Sequence, residues 1–157
     1  MLKYVKDFFG NYLLMSAILS WFGAQMCKVF TGMFKERKFN LITLFFSTGG
    51  MPSSHSAVVC GLATACIVLY GWGSPYVAIT LVLALIVMVD ASGVRYETGK
   101  QAEIINKMIK ELFSYEKTVE EFNTNLKEFV GHTPFQVIVG AAFGIVCAII
   151  LAIFMVW

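Results

Sequence analysis

Long stretches without a charged residue dominate the pattern of hydrophobic and polar positions along this chain. Four of them are candidate membrane spans, at residues 8–27, 56–72, 76–89 and 133–157. A helix that crosses a bilayer needs about 20 mostly apolar residues. A short Gly-Trp-Gly-Ser-Pro turn joins the second stretch to the third. The pattern predicts an all-α fold, an integral membrane helical bundle with about four transmembrane helices.

The segment between the third and fourth spans is rich in charges. Residues 95–128 contain six Lys or Arg residues and seven Glu residues. Apolar residues recur among them at helical spacing, at Ile105, Met108, Ile109 and Leu112 and again at Val119, Phe122, Leu126 and Phe129. This predicts two amphipathic surface helices within 94–130, lying on the membrane or partly sunk into it; a cytoplasmic helical hairpin packed on its own apolar stripe is the alternative. We expect residues 1–157 to form one membrane-embedded domain with 94–130 as an insertion.

Lysine and arginine are distributed unevenly between the two ends of these spans. Six lie in the segment after the third span, and four lie at the end of the first span and in the loop behind it: Lys28, Lys35, Arg37 and Lys38. Because cytoplasmic loops carry the excess of Lys and Arg, we expect the first loop and the amphipathic segment in the cytoplasm. Lys3 and Lys6 argue for a cytoplasmic N-terminus as well, so the side of the N-terminus stays open.

Composition supports lipid as the solvent and argues against several classes of partner. Hydrophobic residues make up 58% of the 157 residues and charged residues 14%, whereas soluble domains carry about 25% charged residues. The formal net charge is +2, and no basic run with interleaved aromatics predicts a nucleic-acid partner. The four cysteines lack metal-ligand spacing and the carboxylates are too scattered for a metal cage, so we expect neither a metal nor a cofactor.

The polar segment Gly-Gly-Met-Pro-Ser-Ser-His-Ser at 49–56 stands inside a charge-free run at residues 39–89. Gly50, Ser53 and Ser54 offer backbone N–H groups and hydroxyls that can wrap an anion. A helix that starts near His55 adds its positive N-terminal dipole. The segment therefore has the composition of a phosphate-binding loop.

The predicted topology gathers other chemical groups at the same membrane face. The candidates are Lys28, Arg37, His55, Asp90, Arg95 and His132. Arg and Lys supply charge-assisted hydrogen bonds to phosphate oxygens. Of two histidines beside a phosphate, one can attack phosphorus while the other protonates the leaving oxygen. These residues favour a phosphate-handling site at a membrane surface over a chance scatter of surface charges.

At these residues the sequence resembles a known superfamily. The segment Pro-Ser-Ser-His at 52–55 resembles the PSGH motif of the type 2 phosphatidic-acid phosphatase and vanadium haloperoxidase superfamily, and residues 131–140 resemble the end of its third motif. Further segments look like a small divergent bacterial branch of that superfamily, at 90–95, 99–106 and 126–134. The resemblance implies a bacterial cytoplasmic-membrane protein, and the Lys and Arg distribution predicts that its site faces the cytoplasm.

The resemblance implies a role for each matching residue. His132 matches the nucleophile that forms a phosphohistidine, and His55 matches the acid that protonates the departing alkoxide. Phosphate ligands are implied at Lys28, Arg37, Arg95, Ser53, Ser54 and Gly50, although the spacing of the first two departs from the family pattern. Gln136 stands where a carboxylate normally orients the nucleophile, and Asp90 or Glu128 is an alternative orienting group. The family uses no metal.

Two departures from the family pattern bear on catalysis. Between Arg95 and His132 lie 36 residues, far more than the family usually has, and the amphipathic segment fills this gap as a lid or lipid platform. The oxygen of Gln136 can hold one imidazole tautomer, but it cannot stabilise the positive charge that develops on the ring. The analogous Asp-to-Asn loss in a serine-protease triad costs about ten-thousand-fold in rate.

The implied function is hydrolysis of a lipid or isoprenoid phosphate monoester by a membrane phosphatase, with membrane lipid and the phosphorylated lipid substrate as partners. The first alternative is a catalytically weak or inactive membrane protein that binds or moves phospholipid headgroups through the same pocket. The second is a structural subunit whose surface helices dock a partner. Gly140 and Gly144 form a GxxxG pair on the last span, which indicates close packing within the monomer or a homodimer seam.

Overall fold

The computed structural model describes residues 2–36, 50–113, 126 and 131–157, and this part of the chain is helical with short connections. Its helices are α1 (Leu2–Phe9), α2 (Tyr12–Glu36), α3 (Ser54–Tyr70), α4 (Pro75–Ser92), α5 (Val94–Phe113) and α6 (Pro134–Met155). The prediction of an all-α fold is confirmed.

Long apolar helices form the bundle. Among the described residues, three stretches are long and apolar enough to cross a membrane: Tyr12–Phe30 in α2, Pro75–Ile109 beginning with α4, and Pro134–Met155 in α6. The other apolar helix, α3, has 17 residues and a length of about 25 Å, compared with about 30 Å for a hydrocarbon core. It lies in the centre, packed against α2, α4 and α6. The predicted membrane helical bundle is therefore confirmed, with α3 at the short end of the range for a spanning helix.

The first span differs from the predicted stretch 8–27. The helix is interrupted at Gly10 and Asn11. There Asn11 Oδ1 accepts a hydrogen bond from the Leu14 N–H at 3.1 Å and caps the start of α2. The residues before this break form the separate, exposed helix α1. At its other end α2 continues beyond Lys28, because a single charged residue does not terminate a helix.

Small residues bring α3 and α6 into close contact. Gly140 lies against the backbone of Ser53, and Gly144 lies against the backbone of Ala57, with no room for a Cβ atom at either glycine. Ala148 continues the same face of α6 and is fully buried. The GxxxG pair therefore packs within the monomer, and its face is not available for the homodimer seam that was the alternative interpretation.

The charged segment after α4 contains one of the two predicted amphipathic helices. This is α5, which is separated from α4 by Gly93 alone and buries Gly99, Ala102 and Asn106 along one face. Another face exposes the apolar side chains of Val94, Ile105 and Met108. The other predicted helix falls on residues that, apart from Leu126, lie outside the described part of the chain.

Both motif-bearing helices begin at the same end of the bundle. Ser53 caps α3, because its Oγ accepts a hydrogen bond from the N–H three residues later at 3.4 Å. Thr133 caps α6 in a capping box, in which the Gln136 side chain bonds back to the Thr133 N–H. The helices α2 and α4 run the opposite way, so Lys28, about two turns before the end of α2, and Asp90, in the last turn of α4, lie at the same end.

Candidate functional site

Two imidazole rings meet at this end of the bundle. The ring centroids of His55 and His132 are 6.0 Å apart, and the ring planes are tilted by 60°. His132 is 2% exposed, whereas the side chain of His55 lies at the surface. The predicted pair therefore consists of one buried ring and one accessible ring.

The backbone around His132 is fixed by the junction of α4 and α5. The His132 N–H donates to the Ala91 carbonyl oxygen at 3.0 Å. Gly131 lies so close to the backbone of Arg95 and Tyr96 that a Cβ atom at position 131 would overlap with it. These contacts tie the His132 ring to the segment that carries Arg95.

Gln136 determines which nitrogen of His132 carries the proton. Its Oε1 accepts a hydrogen bond from the Thr133 N–H at 3.1 Å, and the same oxygen lies 3.2 Å from His132 Nδ1. Because a carbonyl oxygen can only accept, Nδ1 is the protonated nitrogen in this contact. Nε2 then carries the lone pair, and it is buried without a hydrogen-bond partner in the described part of the chain.

Burial keeps the His132 ring neutral. The pKa of His132 is lowered from 6.5 to about 4, chiefly by loss of hydration and further by the positive charges of Lys28 and Arg95. The hydrogen bond with Gln136 raises this pKa, but its effect is smaller than that of burial. At neutral pH the Nε2 lone pair is therefore free of a proton.

Lys28 brings its side chain into the buried part of the site. It is 7% exposed, and its Nζ donates to Ser54 Oγ at 3.1 Å. Gly50 lies beside the aliphatic part of Lys28 and has a φ of +91°, a conformation that favours glycine. Three of the predicted phosphate ligands, Lys28, Gly50 and Ser54, are therefore neighbours, and the last directly precedes His55.

Ser53, a fourth predicted ligand, is occupied within the protein. It is fully buried, and its N–H donates to the Gln136 carbonyl oxygen at 3.1 Å. Its Oγ accepts hydrogen bonds from the N–H and from the hydroxyl of Ser56, at 3.4 and 3.2 Å. Ser53 therefore joins the loop before α3 to the start of α6 and does not present its N–H to a ligand.

Arg95 and Asp90 form an ion pair at the rim of the site. Arg95 Nε lies 2.6 Å from Asp90 Oδ2, and both side chains are partly exposed. The charge of Arg95 is near enough to lower the pKa of His132. Asp90, an alternative orienting group on sequence grounds, pairs with Arg95 instead, and Gln136 makes the contact with Nδ1.

The sequence as a whole identifies the family of this chain. A sequence model of the Divergent PAP2 family matches residues 9–147. The chain belongs to the Divergent PAP2 family. It is also 36% identical over 152 residues to the uncharacterized membrane protein YuiD of Bacillus subtilis (strain 168), which covers 92% of this chain and 96% of that relative. No solved structure matches the chain. The family match confirms the resemblance that the motifs indicate.

Two predicted site residues of this Divergent PAP2 protein fall outside the described residues. They are Arg37, a predicted phosphate ligand, and Glu128, an alternative orienting group. Over residues 2–36, 50–113 and 131–157, no group of three His, Cys, Asp or Glu side chains is arranged to hold a metal ion.

The family motifs do not by themselves reveal the residues that position this site. Gly131 and the Ala91 carbonyl fix the backbone of His132, and Gly140 admits the Ser53 backbone. In the sequence, the one sign of these contacts is Gly131 itself, which directly precedes a histidine near the start of a helix. A glycine at such a position indicates that another part of the backbone approaches too closely for a side chain. A main-chain acceptor such as Ala91 leaves no such signal.

Proposed function

We propose that this protein is a membrane phosphatase that hydrolyses a lipid or isoprenoid phosphate monoester through a phosphohistidine on His132. The observation that carries the proposal is the state of this ring. Its Nε2 is buried without a partner among the described residues, while Gln136 holds the proton on Nδ1. The accessible ring of His55 lies 6.0 Å away between centroids, so a phosphate ester bound here has a nucleophile and a proton donor beside it.

In the first step, the Nε2 lone pair of His132 attacks phosphorus, an N–P bond forms and the bond from phosphorus to the ester oxygen breaks. Protonated His55 gives its proton to the departing oxygen, and the negative charge of the bound phosphate favours that protonated form. The Lys28 ammonium and the Arg95 guanidinium offset the charge on the phosphate oxygens.

In the second step, water attacks the phosphohistidine. The now neutral ring of His55 accepts a proton from that water, the N–P bond breaks and inorganic phosphate leaves. Nδ1 keeps its proton and donates it in a hydrogen bond to Gln136 Oε1 throughout, so Nε2 regains its lone pair when the N–P bond breaks. A neutral amide offers less stabilisation to the charged ring than a carboxylate does, so we expect slow turnover.

A lipid substrate fits the surroundings of these groups. Exposed apolar side chains stand close in sequence to the site residues: Met51, Val94 and Phe135 are 38%, 66% and 65% exposed. An aliphatic tail that stays in the bilayer can lie along such side chains while the phosphate reaches the histidines. We therefore expect the substrate to enter sideways from the membrane.

Charge also supports a cytoplasmic site. Arg95, Lys100 and Lys107 stand on α5, directly after the end of α4 that carries the site. Because Lys and Arg are enriched on the cytoplasmic side of membrane proteins, we assign this end of the bundle to the cytoplasm.

Release of inorganic phosphate tests the proposal. The purified protein in lipid nanodiscs is given a panel of lipid and isoprenoid monophosphates, and we expect release that His132→Ala abolishes and His55→Ala lowers strongly. Trp72→Phe, in the turn at the opposite end of the bundle, is the control and should keep the rate. Release that is unchanged in His132→Ala contradicts the proposal.

A second candidate is a protein that binds or moves phospholipid headgroups through the same pocket with little or no turnover. The presence of Gln136 instead of a carboxylate favours it. In that case the wild type binds a lipid phosphate without releasing phosphate, binding survives His132→Ala, and it is lost in Arg95→Ala.

A further inference from the structure

The side chain of Asn106 connects α5 to the chain that leads to His132. Its Nδ2 donates to the Leu126 carbonyl oxygen at 2.9 Å, and its Oδ1 accepts from the Leu126 N–H at 3.1 Å. One amide therefore satisfies both main-chain groups of a residue 20 positions away in sequence. Asn106 is 6% exposed and Leu126 is exposed, so these two bonds are partly buried.

Leu126 stands six residues before His132. Gly131 and His132 make further contacts with α4 and α5. Gly131 lies against the backbone of Tyr96, and the His132 N–H donates to the Ala91 carbonyl. All three attachments are to the last turn of α4 or to α5. The described residues on either side of 127–130 are therefore both attached to the same two consecutive helices.

The buried face of α5 is the face that makes these attachments. Ala102 lies one turn before Asn106, and both are buried. The exposed faces carry other features: the ion pairs Lys100–Glu97 and Lys107–Glu103, at 2.9 and 2.7 Å, and the apolar side chain of Ile105. A residue that only stabilised α5 has no need to bond both main-chain groups of Leu126.

We propose that Asn106 is a positioning residue, which sets the location of the His132 ring by holding Leu126 on α5. Loss of the amide removes both of these part-buried hydrogen bonds from the Leu126 main chain. Leu126 is then no longer held on α5, and Nε2 of His132, six residues later, loses its alignment toward phosphorus. The kinetic part of this proposal rests on the phosphatase function proposed above.

Kinetics of three variants test the proposal in the full-length protein in nanodiscs. We expect Asn106→Ala to lower kcat by about tenfold with less than about a twofold change in KM, because the phosphate ligands remain in place. Gln101→Ala, an exposed position on the same helix, is the control and should keep both constants. Equal losses in both variants, or a wild-type kcat in Asn106→Ala, overturn the proposal.

Asn106→Asp separates positioning from general loss of structure. A carboxylate can accept from the Leu126 N–H but cannot donate to the Leu126 carbonyl, whereas a protonated carboxyl does both. The ratio of variant to wild-type kcat should therefore rise as pH falls from about 8 to about 5, and burial favours the protonated form. Glu103 and Lys107, which flank this position in the sequence of α5, pair with each other. A ratio that is flat with pH contradicts the proposal.

Hydrogen exchange tests the same inference without any catalytic readout. In Asn106→Ala the Leu126 amide should exchange at least about tenfold faster than in the wild type, while amides in the middle of α6 keep their protection and report that the bundle is folded. If the wild type releases no phosphate but this exchange difference is found, the phosphatase proposal fails and the attachment of Leu126 stands. Unchanged exchange at Leu126 overturns the role of Asn106 even in an active enzyme.

Discussion

At the scale of single residues, one oxygen atom of Gln136 accepts two hydrogen bonds with different roles. The same Oε1 accepts from the Thr133 N–H, which caps α6, and from His132 Nδ1, which fixes the tautomer of the ring. The sequence predicts Gln136 as the orienting group from its place in the motif, and the capping box explains how a neutral amide holds the same position as a carboxylate.

We expect Gln136→Glu to raise phosphate release by at least about tenfold, because a carboxylate accepts both hydrogen bonds and also stabilises the positive charge on the phosphorylated ring. Gln136→Ala, which loses both bonds, should lower the rate. The measurement is kcat at neutral pH with a lipid monophosphate. A rate in Gln136→Glu that is equal to or below the wild type indicates that another residue orients His132.

The buried neutral ring of His132 makes stability depend on pH. Its pKa is lowered from 6.5 to about 4 by burial, so between these values the unfolded chain binds a proton that the folded protein does not. This contribution to stability is present above about pH 6.5 and is lost as pH falls, with a total change of about 3 kcal/mol in the free energy of unfolding. Denaturant titrations of the wild type and His132→Gln should differ by this pH-dependent amount. Parallel pH profiles contradict the prediction.

At the scale of elements, charge-free stretches predict the helices well but their ends poorly. The first helix ends early, because Gly10 and Asn11 form a break inside an apolar stretch, and the second helix then passes through Lys28 without interruption. The GxxxG pair predicts a close contact, but it leaves open which surface lies opposite, since a sequence gives the composition of one face and not its partner. The structure assigns that partner to α3.

Gly140→Ala should disrupt the site through the helix contact. The added Cβ meets the backbone of Ser53, so α3 and α6 must move apart, and the Ser53 N–H loses its bond to the Gln136 carbonyl. We expect a destabilisation of about 1–3 kcal/mol together with a lower rate of phosphate release. Gly73→Ala is the matched control, because nothing lies within 4 Å of a Cβ atom there. Equal unfolding temperatures for the two variants contradict this account.

At the scale of the whole molecule, the site is a product of antiparallel helices. Counting spans is enough to predict that Lys28, His55, Arg95 and His132 share one end, and the structure brings their segments together there. The partners within that end were less predictable. Asp90 forms an ion pair with Arg95, and Gln136 accepts a hydrogen bond from His132. Short-range geometry at the helix termini decides which charged or polar group reaches which atom.

Labelling of single cysteines tests the orientation of this bundle. In a background without the native cysteines, Lys100→Cys should react with an impermeant maleimide from the cytoplasmic side, and Gly73→Cys should react from the opposite side. The reason is that position 100 follows the site end of α4, while position 73 lies in the turn at the other end. Labelling of both positions from the same side is inconsistent with the proposed topology.

The hydrogen bond from the Ser53 N–H to the Gln136 carbonyl joins the two motif-bearing helices through main-chain atoms alone. Exchange of the side chain at position 53 or 136 does not by itself delete it, except for proline at position 53, which has no N–H group. The reactive groups can therefore change identity during evolution while the framework that aligns them persists. Under the proposed function, a descendant of this scaffold can therefore lose turnover and still bind a phosphate group.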